Sequence, residues 1–414
     1  MAYSKRRYHG GGKGKFNSGG GSRGKFGGGG GQGGRRFNQR GPRKENIHPS
    51  KFIKKANPVK EAEYKAKHKF ADFKISPLLH KNLLKKRFSA PSPIQDQAIP
   101  IGLNGQDVIG LANTGTGKTI AFAIPVIHKL LTDKDSKVLI MTPTRELAQQ
   151  ILDEVKTLVQ GGGIYWAMLI GGASMNPQLR DLARNPRIVV GTPGRIKDHI
   201  QRKKLNLNSF NMVVLDEVDR MLDMGFANDM KDILGNMPSK NRQSFFFSAT
   251  ITDKINSLIK EFANSPVTVS VKTSVTSDNV NQDIVKYSST EDKIKKLYEI
   301  LEDNKNDKVL IFDDTKRHCN QLFKKLTQRR FKAAVIHGNK SQNQRQKALN
   351  NFKQGKIRIL VATDVAARGI DVDNISYVIN YSTPQTYDDY THRIGRAGRA
   401  GKIGNALTFI PGRD

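Results

Sequence analysis

Two short stretches carry residue types that can handle a phosphate group. "ANTGTGKT", residues 112–119, places Gly115 and Gly117 just ahead of Lys118 and Thr119. Glycines let a loop turn its backbone N–H groups, including that of Thr116, toward phosphate oxygens. Lys118 then reaches the outer phosphates, and the Thr119 hydroxyl is a ligand for Mg²⁺. A helix starting there adds positive potential. Ala112 stands where the general phosphate-loop pattern has Gly. The second stretch, "MVVLDEVD" at 212–219, is an apolar run ending in Asp216, Glu217 and Asp219. Carboxylates this close repel one another and call for a compensating cation. An Asp at such a strand end can hold Mg²⁺ in phosphoryl-transfer sites. A helix N-terminus also favours acids, but that accounts for one or two, not three behind a buried strand. Strand alternation makes Val218, in the middle of the cluster, a packing position.

These residues need elements to hold them. "DVIGLA" reads as a strand leading into the glycine loop, and "KTIAFAIPVIHKLL" as the helix leaving it. Apolar strands recur at "KVLIMTP", "YWAMLIGG", "RIVVGTP", "MVVLDEV" and "QSFFFSAT", with helical patterns between most of them. Short buried strands alternating with helices indicate a parallel sheet wrapped by helices. "SPVTVSVKTSVTSDNVNQD" reads as a last strand and a polar linker, after which the alternation restarts with "KVLIFDD", "KAAVIHG", "IRILVATD", "SYVINY" and "NALTFIP". The fold expected is two tandem α/β domains, 70–270 and 283–414, joined by a linker at 271–282. The joint between them is a natural ligand cleft.

Ahead of the first domain lie a low-complexity segment, 1–44, and a Lys-rich segment, 45–69, expected to be extended. In the former, Gly alternates with Lys and Arg, and Phe16, Phe26 and Phe37 recur in a loose repeat. Such a chain cannot bury enough surface to offset its entropy, so disorder is expected. Its cations attract phosphates and its aromatics can stack on bases, which makes it an RNA-binding tail, although a solubilising linker has the same composition.

The formal net charge is +33. The tail supplies about a dozen of those charges, so roughly +20 remains for the body, more than solubility requires. A polyanion is the implied partner. Nucleic acid fits better than a membrane surface, because no basic amphipathic helix is evident. No apolar stretch approaches a membrane span, no secretory signal is visible, and a single Cys, Cys319, fits a reducing compartment. A cytoplasmic protein is the expectation.

Beyond the two phosphate-handling stretches, further short motifs occur in a fixed order: "PSPIQ" (91–95), "PTRELA" (143–148), "GG" (171–172), "TPGR" (192–195), "SAT" (248–250), "QNQR" (342–345), "ATDVAARGID" (362–371) and "HRIGRAGR" (392–399). In this order, from about Phe70 to Phe409, the chain resembles a DEAD-box ATP-dependent RNA helicase of superfamily 2, with "DEVD" as its variant of the acidic motif. The resemblance implies two RecA-like domains with ATP and Mg²⁺ as cofactors. It implies RNA, single-stranded or in short duplexes, as a largely sequence-independent partner, with ribonucleoproteins as further candidate partners. Gln95 then corresponds to the adenine reader and Phe70 to its stacking aromatic; an amide can satisfy both a donor and an acceptor. Asp216 corresponds to the Mg²⁺-associated Asp and Glu217 to the residue that orients or deprotonates the attacking water. Asp219, Ser248 and Thr250 correspond to the link between the ATP and RNA sites.

In the second domain, Arg396 and Arg399 match the arginine fingers, Asp371 the ribose-contacting acid and His392 a coupling residue. Arg suits that task because its fork neutralises charge spread over a phosphoryl group. Hydrolysis should therefore require the cleft to close. Thr144, Arg145, Gly172, Thr192, Arg195, Arg345 and Thr363 fall in motifs that contact the RNA backbone, which positions a strand without reading its sequence.

Some positions depart from the family pattern. Val218 stands for the usual Ala, Ser92 for the commoner Thr, and Asp313 and Asp314 make "LIFDDTK" unusually acidic. The family usually has a further helix after the position of "NALTFIPGRD", so a minimal second domain is expected. Two alternatives remain. A DNA-translocating helicase of the same superfamily is disfavoured by Phe70 with Gln95 and by Asp at 219. A non-enzymatic RNA chaperone or clamp acting through the tail is disfavoured by Lys118, Glu217 and Arg396.

Overall fold

The computed structural model describes residues 45, 47–57, 64–86, 88, 90–113, 115–271, 276–305, 307–367, 372, 374–398 and 402–412. The tail expected at 1–44, Asp371 and Arg399 lie outside the described residues. Among the described residues the strands form two sheets. The first contains β1 (Val108–Leu111), β2 (Val138–Met141), β3 (Trp166–Leu169), β4 (Ile188–Gly191), β5 (Met212–Asp216), β6 (Gln243–Ser248) and β7 (Val267–Ser270), in the spatial order β3-β4-β2-β5-β6-β1-β7. The second contains β8 (Val280–Tyr287), β9 (Val309–Phe312), β10 (Ala333–Ile336), β11 (Ile359–Ala362), β12 (Tyr377–Asn380) and β13 (Gly404–Pro411), in the order β10-β11-β9-β12-β13-β8. Neighbouring strands are parallel in both sheets.

Parallel strands need helical crossovers, which cover both faces, so their sequences are apolar without a polar side. β6 illustrates this: Phe245 and Phe247 enter one hydrophobic core of the first domain, and Phe246, pointing the other way, enters the other. In β9, Leu310 and Phe312 face one core of the second domain while Val309 and Ile311 face another. No described helix is long and apolar enough to cross a membrane.

Two segments differ from expectation. β8 begins at Val280, so the last three residues read as linker already pair with β13. The strand is hard to recognise because Gln282, a polar residue, points inward, where its Oε1 accepts the Tyr390 hydroxyl at 2.9 Å. Within 45–69, Pro49–Phe52 and Phe70–Asp72 at its border form single 3-10 turns. The first begins at Pro49, where a ring-fixed φ suits a helical start.

Register fixes where the phosphate-handling residues go. Leu111 of β1 is level with Ser248 of β6, and Asp216 of β5 is level with Phe247 of β6. The glycine loop after β1 and the acids after β5 therefore leave the same carboxyl edge on either side of β6. That edge is where open α/β sheets bind ligands.

Candidate active site

The glycine loop runs from β1 into the Lys118–Thr132 helix. Gly115 and Gly117 have φ of +84° and +92°, a region side chains disfavour. At Gly117 a Cβ would also overlap the Gln95 amide, so two separate constraints require glycine there. Gln95 Nε2 donates to the Gly117 carbonyl at 3.0 Å, and its Oε1 accepts the Ser92 N–H at 3.0 Å. Ser92 Oγ donates to the Thr116 carbonyl at 2.7 Å. The start of the Pro93–Leu103 helix thus braces the loop from below. Thr116 Oγ1 closes the turn onto the Asn113 carbonyl at 2.8 Å. Lys118 is buried and its Nζ donates to the Ala112 carbonyl at 3.0 Å. Thr119, next along the helix, is half-buried.

Asp216 ends β5 in full burial. Burial pushes its carboxyl up to about 6, with Glu217 and Asp219 adding to the shift and Lys118 opposing it. Such a carboxylate lacks enough positive charge around it, which fits a hard cation with oxygen ligands. Glu217 is also buried and sits at φ 54°, ψ 55°, a left-handed conformation that costs about 1–2 kcal/mol in a residue with a side chain. Strain of this kind clusters at functional sites. Val218 is fully buried in the core behind the acids.

Asp219 faces the next loop. Its Oδ2 accepts the N–H groups of Ala249 and Thr250 at 3.0 and 3.3 Å and the Thr250 hydroxyl at 3.5 Å. Ser248 Oγ donates to the Thr250 carbonyl at 2.7 Å. The acidic stretch and the 248–250 loop are therefore mechanically joined. Phe70 is half-buried, packed against Phe73 and Phe88 with ring centroids 6.0 and 5.5 Å away.

A second grouping lies on helix starts further along the chain. Thr144 caps the Arg145–Leu158 helix by accepting the Leu147 N–H, and Thr192 sits at the N-cap position of Pro193–Gln201, where its side chain makes no capping bond. Gly172, at φ +70°, lies against the Arg145 guanidinium so closely that a Cβ would overlap it. Arg195 Nη1 donates to the Ala173 carbonyl at 3.3 Å. Burial, then the neighbouring positive charges of Arg345 and Arg195, hold the Arg145 guanidinium below its usual value, with Glu146 opposing. Three guanidiniums converging in this way favour an anionic partner. Arg345, expected at the RNA backbone, also has a partner within the chain: its Nη2 lies 2.7 Å from Glu146 Oε2, with both side chains almost fully buried. Arg345 belongs to the Gln342–Lys353 helix of the second domain, so this ion pair joins the two halves.

In the second domain, His392 lies on the Tyr387–Ile394 helix, and Arg396, buried, follows its end. Both line one small cavity together with Asp364. Thr363 directly follows β11, and its carbonyl accepts the Ala366 and Ala367 N–H groups at 3.0 and 2.9 Å.

Residues 92–258 match the DEAD/DEAH box helicase family model, and 292–401 match the helicase conserved C-terminal domain. The DEAD-box ATP-dependent RNA helicase CshA of Bacillus subtilis is 42% identical over 346 residues, covering 83% of this chain and 70% of its own. The chain belongs to the DEAD-box family of ATP-dependent RNA helicases. The ATP-dependent RNA helicase CshA of Listeria monocytogenes is 42% identical over 347 residues, 84% of this chain and 66% of that protein. The chain thus spans about two thirds of the length of these relatives. In fold it is similar to S. cerevisiae Dbp5 bound to RNA and ADP BeF3, with a TM-score of 0.73 at 29% identity over 83% of this chain and 90% of that one.

For a DEAD-box helicase, two residues passed over in the motifs, and one noted only as a departure from the pattern, stand out structurally. Ser92 and Glu146 gain their contacts only through folding, the first under the loop and the second across the halves. Arg393, between the motif residues His392 and Arg396, is the third. Its Nε and Nη2 pair with both Asp364 oxygens at 2.6 and 2.7 Å, and its Nη1 donates to Asn380 and the Ser382 carbonyl. It lies over the Phe312 ring at 5.1 Å. Arg393 and Asp364 each lie inside a motif, "HRIGR" and "ATD", but nothing local to either pairs them.

Proposed function

We propose that this chain hydrolyses ATP in response to RNA and uses the cycle to separate short duplexes or to remodel RNA–protein complexes. The observation that carries this reading is the junction at one sheet edge of a glycine loop, the buried carboxylate of Asp216, the strained Glu217, and Asp219 bonded into the 248–250 loop. Thr119 and Asp216 would hold Mg²⁺, directly or through water, and the ion would supply charge for the β- and γ-phosphates. Lys118 would exchange the Ala112 carbonyl for phosphate oxygens. Glu217 would orient or deprotonate the attacking water. Val218 would alter packing behind the site and leave the chemistry of the acidic motif unchanged.

Gln95 keeps a second N–H on Nε2 and a second lone pair on Oε1 beyond its bonds to the Gly117 carbonyl and the Ser92 N–H, so it would read the adenine edge while still bracing the loop, with Phe70 as the stacking surface. Arg396 and Arg399 would neutralise charge on the transferring phosphoryl group, Asp371 would contact ribose, and His392 would couple the two. Asp219, Ser248 and Thr250 would pass the state of the ATP site to the RNA contacts. Those contacts would be Thr144, Arg145, Gly172, Thr192, Arg195 and Thr363 on the sugar-phosphate chain, with Arg345 contributing through its pair with Glu146.

RNA is preferred over DNA because the family named above acts on RNA; contact with 2′-OH groups would provide the distinction. We assign 70–270 to the ATP-binding domain, the chain from β8 onward to the C-terminal helicase domain, and 1–44 to an accessory RNA-binding tail. The single buried thiol of Cys319 suits a reducing, cytoplasmic setting.

The test is ATP hydrolysis and strand separation with matched RNA and DNA duplexes, comparing the full chain with Glu217→Gln and with residues 1–44 removed. RNA-stimulated hydrolysis abolished by Glu217→Gln is expected. Normal hydrolysis by that variant overturns the assigned mechanism. Equal stimulation by DNA overturns the choice of RNA, and loss of RNA handling on tail removal alone points to a tail-driven chaperone.

A further inference from the structure

Residues 45 and 47–57 precede the first domain in the chain but pack on the second. Phe52 is 1% exposed, inserted into a core of the second sheet, with its ring edge-on to Tyr390 at 4.7 Å. Lys54 makes an antiparallel bridge to β8: its N–H donates to the Gln282 carbonyl at 3.0 Å and its carbonyl accepts the Gln282 N–H at 2.7 Å. The Lys54 ammonium lies 2.6 Å from Asp278. Ala56 N–H donates to Asn281 Oδ1 at 2.9 Å and Asn57 N–H to the Asp278 carbonyl at 2.8 Å. Glu45 accepts the Tyr387 N–H at 3.0 Å. β8 is an edge strand, and this segment covers part of its unpaired side.

A few residues later the chain is anchored on the first domain, at one buried carboxylate. Asp96 accepts the Tyr64 hydroxyl at 2.6 Å and the N–H groups of Lys67 and His68 at 2.8 and 3.0 Å, and it pairs with His68 Nδ1 at 2.7 Å. Burial would raise the Asp96 carboxyl, but these hydrogen bonds bring it below its ordinary value. Both anchors adjoin the ATP machinery. Asp96 follows Gln95 on the helix that braces the phosphate loop. Tyr390, in contact with Phe52 and Gln282, precedes His392 by two residues on the helix that leads to Arg396.

We propose that the anchored segments 47–57 and 64–68 act as a strap that positions the second-domain half of the ATPase site over the first-domain half, with Phe52, Lys54 and Tyr64 as its positioning residues. The proposal rests on the reading of Gln95, His392 and Arg396 given above. Asn57 and Tyr64 are seven Cα steps apart, and seven steps of extended chain reach about 25 Å at most. The linker between β7 and β8 connects the domains covalently, and the strap adds a second connection, continuous in chain with the first domain and held on the second by packing and hydrogen bonds. Two short tethers exclude most relative orientations that one allows. They raise the effective concentration of one half-site at the other and so the population competent to close. Loosening the strap lowers that population and weakens apparent RNA affinity by the same factor. The chemical step in the closed state, reached at saturating RNA and ATP, is not altered.

The strap is tested by inserting about twelve Gly/Ser residues between Asn57 and Tyr64, which leaves both anchors in place and changes only reach. The same insert between Lys44 and Glu45, ahead of both anchors, is the control. Two measurements are made on the full chain: RNA-dependent ATP hydrolysis with a poly-uridine single strand, and energy transfer between dyes on the two domains without ligand. The strap insert is expected to raise the RNA concentration for half-maximal hydrolysis about five-fold, to leave kcat within about two-fold, and to broaden the transfer distribution toward longer distances. The control insert does neither. Tyr64→Phe, which removes one donor to Asp96, should move half-saturation in the same direction by less. An unchanged distance distribution and unchanged half-saturation in the strap insert overturn the proposal, as does the same effect from the control insert. Arg396→Ala separates the two readings. Normal kcat in that variant removes the arginine role, while the ligand-free distance measurement still decides the strap.

Discussion

Glu146 and Arg345 meet at 2.7 Å with hardly any of either side chain exposed, although one belongs to the first domain and the other to the second. A buried ion pair contributes little net stability against apolar packing, yet removing one partner strands a charge and is costly. In this structure the pair links the first domain directly to the second. It also sits beside Arg145, so the groups expected on the RNA backbone and the groups joining the domains form one cluster.

A double-mutant cycle with Glu146→Gln and Arg345→Gln should therefore show strong coupling. Each single change is expected to lower RNA-stimulated kcat/KM about 30-fold, and the double change little more, a coupling of about 2 kcal/mol. Additive losses would mean that the two residues act separately.

Gly172 is a second sharp case. At φ +70° and against the Arg145 guanidinium, it leaves no room for a Cβ. Gly172→Ala should displace Arg145 and weaken RNA binding about ten-fold while ATP binding stays within about two-fold, with a stability loss of about 1–2 kcal/mol. RNA titrations at two salt concentrations check the cause, since a lost phosphate contact flattens the salt dependence. An unchanged slope would argue that Arg145 does not touch the backbone.

Asp219 receives three donors from the 248–250 loop. Asp219→Ala leaves the Ala249 and Thr250 N–H groups without that acceptor, so the loop should lose its fixed relation to the ATP strand. The expected outcome is ATP affinity within about three-fold of wild type, with RNA stimulation of hydrolysis reduced at least ten-fold. Both are read from one set of ATPase titrations, and intact RNA stimulation would remove Asp219 from the coupling path.

The parts legible in the sequence were those where chemistry and backbone demand coincide. Gly115 and Gly117 take positive φ, the acids follow a fully apolar strand, and the alternation of strands and helices sets two parallel sheets. What stayed hidden depends on contacts between residues far apart in the chain. Glu146 inside "PTRELA" looks like an ordinary first-turn acid until Arg345 arrives from another domain. Gln282 disguised β8 because an inward polar residue breaks the apolar pattern, and its partner Tyr390 lies more than a hundred residues away. The Lys-rich stretch ahead of the first domain read as extended polar chain because its anchors are isolated in sequence, Phe52 entering a core of the second sheet and Tyr64 reaching Asp96 of the first domain. Local propensity carries no information on which sheet such an anchor will join.

The acidic pair after β9 supplies a pH-dependent prediction. Burial, with the Asp314 charge beside it, pushes the Asp313 carboxyl up to about 6, against the Asp314 N–H and His318, which pull it down. Lys293, Cys319 and Tyr381 face the same group. A carboxyl raised on folding binds its proton more tightly in the folded state. Its contribution is therefore best below the unfolded value near 4 and is lost as pH climbs to about 6. Above that the buried charge is a standing cost on the order of 3 kcal/mol. Asp313→Asn should remove it, raising the thermal midpoint by a few degrees at pH 7.5, with the advantage shrinking toward pH 4. Thermal unfolding of the two proteins across that range measures the difference, and a gap that is flat or widens toward acid would show that Asp313 is compensated at neutral pH.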